Sequence, residues 1–195
     1  MQITNKNYPW PDNWGQKTSI MGIINLTPDS FSDGGDLCSI EKVLHKVNDF
    51  VSNGVDVIDL GAQSTKPGAI EIGANKETKR LIPYLKKIRS EYPNILISID
   101  TFNSEVAYEA LSNGANWIND VTGGRRDEEI LDVVSHFNCP FVITHSRGNS
   151  KNMNNLTIYD DFLVNIIDSL ECLTVKAINK NVRKDKIIWD PGIGF

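Results

Sequence analysis

Short, nearly continuous apolar runs alternate along this chain with longer segments in which apolar residues recur every three or four positions. The runs are too short for helices and end at polar or glycine-rich segments, so we interpret them as buried strands. The longer segments have the spacing of helices that bury one face. Six strands are predicted in this way, within residues 20–26, 55–61, 95–100, 117–121, 140–144 and 186–190.

Capping residues bound several of the predicted helices. Ser39 is a plausible N-cap for the first, and Asn53 with Gly54 closes it. Pro83 interrupts the second helix and predicts that it kinks or starts late. The last predicted helix is long and amphipathic, and its apolar positions are Ile158, Phe162, Ile166, Leu170 and Leu173.

Strict alternation of strands and helices predicts a parallel sheet covered by helices, in one domain over residues 1–195. The sheet can be open and doubly wound, or closed as a barrel. The dinucleotide-binding pattern GxGxxG is absent from the first strand-to-helix turn, which weakens the first alternative. A barrel is favoured because it alone brings six polar strand-end residues to one mouth: Asn25, Asp59, Asp100, Asn119, His145 and Asp190. We therefore predict an α/β fold, a TIM (β/α)8 barrel of which this chain carries the first six βα units.

The amino-acid composition limits the classes of molecule that this chain is expected to bind. The chain has 20 Lys and Arg against 25 Asp and Glu, a formal charge of -5, and no basic block, which argues against nucleic acid or an anionic membrane. No stretch approaches the length of a transmembrane span. The three cysteines are widely spaced and odd in number, so reduced thiols and a cytoplasmic location are predicted.

The strand-end residues suggest a site that is rich in carboxylates and amides and has few cations, with Lys66 and Arg147 foremost. Such groups can hold the donor-rich edge of a planar heterocycle, because an N–C–NH2 edge offers two parallel donors to one carboxylate. Cations and glycine loops suit phosphate oxygens. For any single carboxylate, the alternative is a helix N-cap or a partner for a nearby arginine.

Six segments, in order along the chain, match a known family. The first is MGIINLTPDSFSDGG at residues 21–35, which resembles the amino-terminal signature of dihydropteroate synthases, the folate-pathway enzymes that sulfonamides target. The resemblance recurs at residues 59–69, 98–101, 118–124, 145–148 and 190–195. It implies the condensation of 6-hydroxymethyl-7,8-dihydropterin pyrophosphate with p-aminobenzoate to give dihydropteroate and pyrophosphate.

The resemblance also implies roles for individual residues. Asp100, Asn119 and Asp190 would hold the pterin, and Asp100 would act in catalysis by stabilising a cationic pterin methylene. Asn25 would face pyrophosphate and bind its Mg²⁺. The residues that would close over pyrophosphate and p-aminobenzoate are Thr65, Lys66, Asp29, Ser30, Phe31 and Asp33. Family members are usually homodimers.

Three residues depart from the family pattern. Lys66 stands where the family usually has Arg, so a bidentate phosphate contact is lost. Gln63 replaces a common Glu, which removes a negative charge beside the anion site, and Thr144 stands where bacterial members often carry Met.

The family continues beyond the last matched segment through two further βα units, which carry its Ser-x-Lys and Arg-x-His motifs and which are not found in this sequence. We therefore expect a domain truncated at its carboxyl end, with little or no synthase activity alone. Two alternatives are a non-catalytic pterin-binding module and a domain like methyltetrahydrofolate-corrinoid methyltransferases.

The remaining candidates have simpler interpretations. His145 is predicted to form strand-end hydrogen bonds, and Arg125 and Arg126 to be a solvated loop pair. Trp117 and Trp189 are predicted to fill the core. Residues 1–18 are predicted to lie across the bottom of the fold.

Overall fold

The computed structural model of the chain describes residues 10–12, 14–27, 39–63, 71–148 and 155–193. Its strands are β1 (Met21–Asn25), β2 (Val57–Gly61), β3 (Leu96–Asp100), β4 (Trp117–Asp120), β5 (Phe141–Thr144) and β6 (Ile187–Asp190). Its α-helices are α1 (Ile40–Ser52), α2 (Ala74–Glu91), α3 (Ser104–Ser112), α4 (Glu129–Phe137) and α5 (Phe162–Asn179). All six predicted strands are confirmed.

The strands form one parallel sheet in the order β1-β2-β3-β4-β5-β6. An open doubly wound sheet reverses its strand order at a switch point, whereas a barrel adds each strand beside the one before it. The observed order therefore confirms the barrel architecture. Within the described residues, β1 and β6 are the two edges of the sheet.

The two faces of the sheet bury different residues. One face packs against the helices in a single core that includes Ile58, Ile97, Ile99, Ile118 and Phe141 from the strands. The opposite face, called the inner face below, carries a separate buried cluster of Val57, Leu96, Trp117 and Val142. Because the helices all pack on the other face, the side chains on the inner face pack mainly against one another, as in a barrel interior.

The inner cluster lies toward the amino ends of the strands, and we call its four residues the amino-end cluster. Trp10 and Trp14 close it from below: their rings stack on each other at 4.9 Å, and each meets the ring of Trp117 edge-on. This confirms, for the described residues, that the lead-in segment lies across the bottom of the fold. Trp189, by contrast, is 44% exposed, so the prediction that it fills the core is wrong.

Helix boundaries follow the capping signals in most cases. The Ser39 hydroxyl accepts a hydrogen bond from the backbone of Lys42, which confirms it as the N-cap of α1. The prediction of a late start for α2 is wrong, because the helix begins at Ala74 and continues through Pro83. Ile158 lies outside α5 and is 84% exposed, so its assignment to the buried helical face is also wrong.

In the part of the chain that the structure describes, no helix combines the length and the apolar character that crossing a bilayer requires.

Candidate functional site

Four residues at the carboxyl ends of β1 to β4 lie in one register row. Asn25 pairs with Gly61, Gly61 with Asp100, and Asp100 with Asn119. Because parallel strands in register present paired residues at the same height and on the same face, this row, called the carboxyl-end row below, brings three of the predicted site residues together. Of the six strand-end residues that the sequence predicts at one mouth, the register places Asn25, Asp100 and Asn119 in this row.

Gly61 lets the amide of Asn25 and the carboxylate of Asp100 approach each other. A Cβ atom at Gly61 would lie 3.1 Å from Oδ2 of Asp100 and 3.4 Å from Oδ1 of Asn25. Any side chain would therefore crowd both oxygens. The glycine keeps open a space that two oxygen atoms border, and such a space suits a proton donor or a cation.

Asp190 lies one step farther along the inner face. Asn119 pairs with Val142, whereas Asp190 pairs with Thr144, two residues on. The backbone N–H of Gly192 donates to Oδ1 of Asp190 at 2.8 Å, and the Thr144 hydroxyl is 3.4 Å from Oδ2. Both carboxylate oxygens thus have partners that fix the orientation of the side chain.

Asp59 and Ser98 lie on the inner face directly beneath the carboxyl-end row. They pair with each other, and their side chains are 3% and 0% exposed. Nδ2 of Asn119 donates to Oδ2 of Asp59 at 3.2 Å, and the buried Oδ1 atoms of both residues have no hydrogen-bond partner among the described residues. Sequence reasoning noted Asp59 as a strand-end residue but gave it no role. The signal was the two-residue spacing that puts Asp59 on the same face as Gly61.

The site has an excess of buried negative charge. The pKa of Asp100 is well above its ordinary value because the group is desolvated and because Asp59, Glu77 and Asp120 add repulsion. Burial also raises the pKa of Asp59, while the side chains of Ser98 and Asn119 act in the opposite direction. Among the described residues, none of these four acidic groups forms an ion pair. The arrangement therefore favours a ligand that brings positive charge or hydrogen-bond donors.

Two buried side chains hold the segments that border the row. Glu77 of α2 is fully buried and accepts a hydrogen bond from Nδ2 of Asn103, after the end of β3. Oε1 of Gln63 accepts from the backbone N–H of Ile72 at 2.9 Å. Gln63 thus joins the two ends of the segment 64–70, so the family departure at this position keeps a structural hydrogen bond.

Several predicted site residues lie outside the described residues, and their roles stay predictions. These are Thr65, Lys66, Asp29, Ser30, Phe31 and Asp33.

The basic residues near this end of the sheet are held by protein groups. Arg147 donates to the carbonyl oxygens of Leu156 and Ile158 and stacks over Tyr159. Arg125 donates to the carbonyl and hydroxyl oxygens of Ser146. Arg125 is exposed, as the sequence analysis predicts, and its guanidinium also fastens one loop to the next.

Arg126 is also exposed, as predicted, and forms a surface ion pair with Glu71. His145 is 4% exposed, and its Nε2 atom lies 3.0 Å from the hydroxyl of Tyr159, as expected of a strand-end hydrogen bonder. Burial lowers the pKa of His145, and Arg125 and Arg147 lower it further. The lowered pKa favours a neutral imidazole, and the contact of its ring with Tyr159 is structural.

Within the described ranges, no group of three or more His, Cys, Asp or Glu side chains could hold a metal by itself. A cation at this site would therefore need ligands from elsewhere, such as a substrate or water. Asn25 and Asp100 offer the oxygen atoms that a hard cation prefers.

A family model described as "Pterin binding enzyme" matches residues 21–195. The dihydropteroate synthase of Clostridium beijerinckii is 38% identical over 196 residues, covering 100% of this chain and 68% of that protein. The dihydropteroate synthase of Synechocystis is 42% identical over 183 residues, covering 94% of this chain and 63% of that protein.

Solved structures agree. The crystal structure of a Clostridium difficile dihydropteroate synthase in the presence of pteroic acid has a TM-score of 0.84 and 40% identity, covering 93% of this chain and 66% of that one. The chain spans between 24% and 68% of the lengths of its curated relatives. With the family model over nearly the whole chain and the register row described above, this chain belongs to the pterin-binding enzyme family that includes the dihydropteroate synthases.

Proposed function

We propose that this chain belongs to an enzyme that carries out the dihydropteroate synthase reaction of folate biosynthesis, in which 6-hydroxymethyl-7,8-dihydropterin pyrophosphate and p-aminobenzoate give dihydropteroate and pyrophosphate. The observation that carries the proposal is the carboxyl-end row, in which Asn25 and Asp100 approach each other across Gly61 and Asn119 stands beside them. A relative with this reaction in its name is 38% identical over the whole of this chain.

Recognition of the pterin rests on complementary donors and acceptors. The 2-amino-pyrimidinone edge of a pterin is rich in N–H donors, and the inner face offers the carboxylates of Asp100 and Asp190 with the amide of Asn119. Asp190 is oriented by Thr144 and Gly192 before any ligand binds. Preorganised acceptors lose little entropy on binding, so they give affinity as well as orientation.

The electrostatics suit the bond-breaking step. When pyrophosphate leaves, the pterin methylene becomes electron-poor, and an ionised carboxylate nearby stabilises the positive charge. Asp100 lies within the row, where burial and then the repulsion of three other acidic groups raise its pKa. A cationic ligand relieves that repulsion, so the site gains more from the charged transition state than from the neutral pterin ring.

Mg²⁺ is part of the proposal, with Asn25 as its protein ligand. The ion neutralises phosphate charge when bound, and it commonly uses one or two protein oxygens together with substrate phosphates and water. The oxygen of Asn25 fits that ligand type. Thr65, Lys66 and the segment with Asp29, Ser30, Phe31 and Asp33 are proposed to cover the pyrophosphate and p-aminobenzoate.

Two measurements on the purified chain test the proposal. Isothermal titration calorimetry with 6-hydroxymethylpterin reports binding, and pyrophosphate release in the presence of both substrates and Mg²⁺ reports turnover. We expect pterin binding that is lost in Asp100→Asn/Asn119→Ala and kept in the surface control Asp185→Asn. Absence of pterin binding by the wild-type chain would refute the proposal.

Turnover separates synthesis from binding alone. Binding with pyrophosphate release shows that the chain acts as a synthase by itself, whereas binding without release in the presence of Mg²⁺ and p-aminobenzoate is the result expected of a chain with little or no activity alone. Omission of Mg²⁺ should reduce release if Asn25 binds the ion. Asn25→Ala should then lower the response to Mg²⁺ while leaving 6-hydroxymethylpterin binding within about twofold, because the latter lacks phosphates.

A homodimer and a cytoplasmic location complete the proposal. Sedimentation of the purified chain measures the first. The second is supported by Cys139 and Cys172, which are both free thiols, since reduced cysteines are typical of the cytosol.

A further inference from the structure

Asp59 is the one strongly buried acidic group of the inner face to which the proposed reaction gives no task, within the part of the chain that is described. Its side chain is 3% exposed and lies on β2, two residues before Gly61. Among the residues that the structure describes, it has no ion-pair partner. A buried carboxylate without a cation is costly, so its presence in the centre of the sheet calls for a reason.

The hydrogen bond between Asn119 and Asp59 supplies that reason. Nδ2 of Asn119 on β4 donates to Oδ2 of Asp59 on β2 at 3.2 Å, over the intervening strand β3. A primary amide has a donor end and an acceptor end of nearly equal shape, and in most environments it can rotate to present either one. Because Oδ2 of Asp59 accepts from this NH2 group, the amide is held with its NH2 group toward β2 and its oxygen away from it.

The other end of the amide is left without a partner. Oδ1 of Asn119 is buried and has no hydrogen-bond partner among the described residues. Buried polar atoms in native proteins are almost always paired, and the exceptions cluster where a ligand supplies the missing group. The missing group must be a donor, because the unpaired atom is a carbonyl oxygen.

We propose that Asp59 is a positioning residue that fixes the side-chain amide of Asn119, so that Oδ1 accepts a hydrogen bond from a ring N–H group of the bound heterocycle. The inference rests on the proposed pterin binding and deepens it. It states which atom of Asn119 reads the ligand and why. Asp59 acts through Asn119 and does not itself touch the ligand.

A double-mutant cycle tests whether Asp59 affects ligand binding only through Asn119. The four proteins are the wild-type chain, Asp59→Leu, Asn119→Ala and the double variant, and the measured quantity is the dissociation constant for 6-hydroxymethylpterin. Leucine has the same branched shape as aspartate without its hydrogen-bonding oxygens, and Val57 of the amino-end cluster lies two residues before Asp59 on the same face. We expect Asp59→Leu to weaken binding about tenfold when Asn119 is present, because the amide then loses its fixed orientation.

In the Asn119→Ala background, the same Asp59→Leu change should alter the dissociation constant by less than about twofold, because there is no amide left to orient. An equal loss in both backgrounds would overturn the proposal, since it would mean that Asp59 acts directly or through the general packing of the sheet. Ser98→Ala is the matched control, because Ser98 is buried beside Asp59 and has no hydrogen bond to Asn119. It should leave the affinity within about twofold.

A spectroscopic measurement on the free protein is independent of the ligand. In ¹⁵N-labelled wild-type chain, one side-chain NH2 proton of Asn119 should exchange slowly with solvent and move downfield, as expected for a donor to a carboxylate. Asp59→Leu should remove both effects, and Ser98→Ala should keep them. Unchanged Asn119 signals in Asp59→Leu would overturn the proposed orientation.

The two readouts separate the possible failures. A wild-type chain that binds no pterin refutes the proposed function, and the amide signals still decide whether Asp59 fixes Asn119. If Asp59→Leu fails to fold, Asp59→Asn serves in its place. It keeps the shape but can donate as well as accept, so we expect two orientations of the Asn119 amide and an intermediate loss of affinity.

Discussion

The two ends of the inner face are built from the same strands, but one end is apolar and the other is polar. At the amino end, Val57, Leu96, Trp117 and Val142 are buried against one another and against the ring of Trp10. At the carboxyl end, Asn25, Asp100 and Asn119 form a row of polar groups. Asp100 lies only four positions after Leu96 on the same strand.

The two ends also differ in how well their groups are satisfied. The amino-end cluster consists of apolar contacts that gain free energy on folding. The carboxyl end holds buried polar atoms that have no partner among the described residues, on Asp59, Ser98 and Asn119. Such atoms weaken the folded state, and the proposal above assigns a ligand donor to one of them, Oδ1 of Asn119. Stability and binding are therefore divided between the two ends of one sheet.

The largest expected effect is on stability, at the amino end. Trp117→Ala should lower the free energy of unfolding by about 3–5 kcal/mol, because it leaves a cavity beneath the sheet and removes the contacts of Trp10 and Trp14. Urea denaturation measures the change. Ile23→Ala is the control, since Ile23 is 57% exposed, and it should cost about 0.5 kcal/mol or less. A small effect of Trp117→Ala would remove the basis of the comparison.

At the carboxyl end, the effect should appear in binding and not in stability. Asp100→Asn should weaken 6-hydroxymethylpterin binding about 10- to 100-fold, because a charged acceptor is lost. The free energy of unfolding should stay equal or rise, because a repelled buried carboxylate is replaced by a neutral amide. Calorimetry and urea denaturation of the same samples measure both. A marked loss of stability would contradict the division between the two ends.

The pH dependence of stability gives a smaller, graded effect. The pKa of Asp100 is raised in the folded chain, chiefly by burial, so its neutral form stabilises the fold. That contribution is fully present below the unfolded pKa of about 4 and is lost as the pH rises through the folded pKa. Relative to wild type, Asp100→Asn should therefore gain stability between about pH 4 and about pH 7. A difference that does not change with pH would show that the pKa is not raised.

The smallest expected effect concerns the orientation of Asp190. Thr144→Val removes the hydroxyl that lies 3.4 Å from Oδ2 of Asp190 and should weaken pterin binding about threefold to tenfold. Thr144→Ser keeps the hydroxyl and should bind within about twofold of wild type. If valine and serine behave alike, Gly192 alone orients the carboxylate.

Sequence reasoning identified the strands well because buried parallel strands are apolar almost throughout, and the polar residue that ends each run stands out. Asn25, Asp100 and Asn119 were found in this way. Asp59 was seen but given no role, because a carboxylate inside an apolar run shows neither its depth nor its partner. Trp189 and Ile158 were expected to be buried because they are large and apolar, yet both are exposed.

The loops were harder to read than the strands. Arg125 and Arg147 were candidate anion ligands or solvated residues, and the structure shows them donating to loop carbonyl groups. Those partners lie about ten to twenty residues away along the chain, and no local spacing rule predicts such contacts.

The sequence alone determined the alternation of strands and helices, the polar residue at each strand end and the family, because periodicity and motif are local properties of the chain. Only the tertiary structure decided that Asn25, Gly61, Asp100 and Asn119 share one row, and that Asp59 holds the amide of Asn119. Register and amide orientation depend on which atoms meet across neighbouring strands, and those contacts join residues that are far apart in sequence.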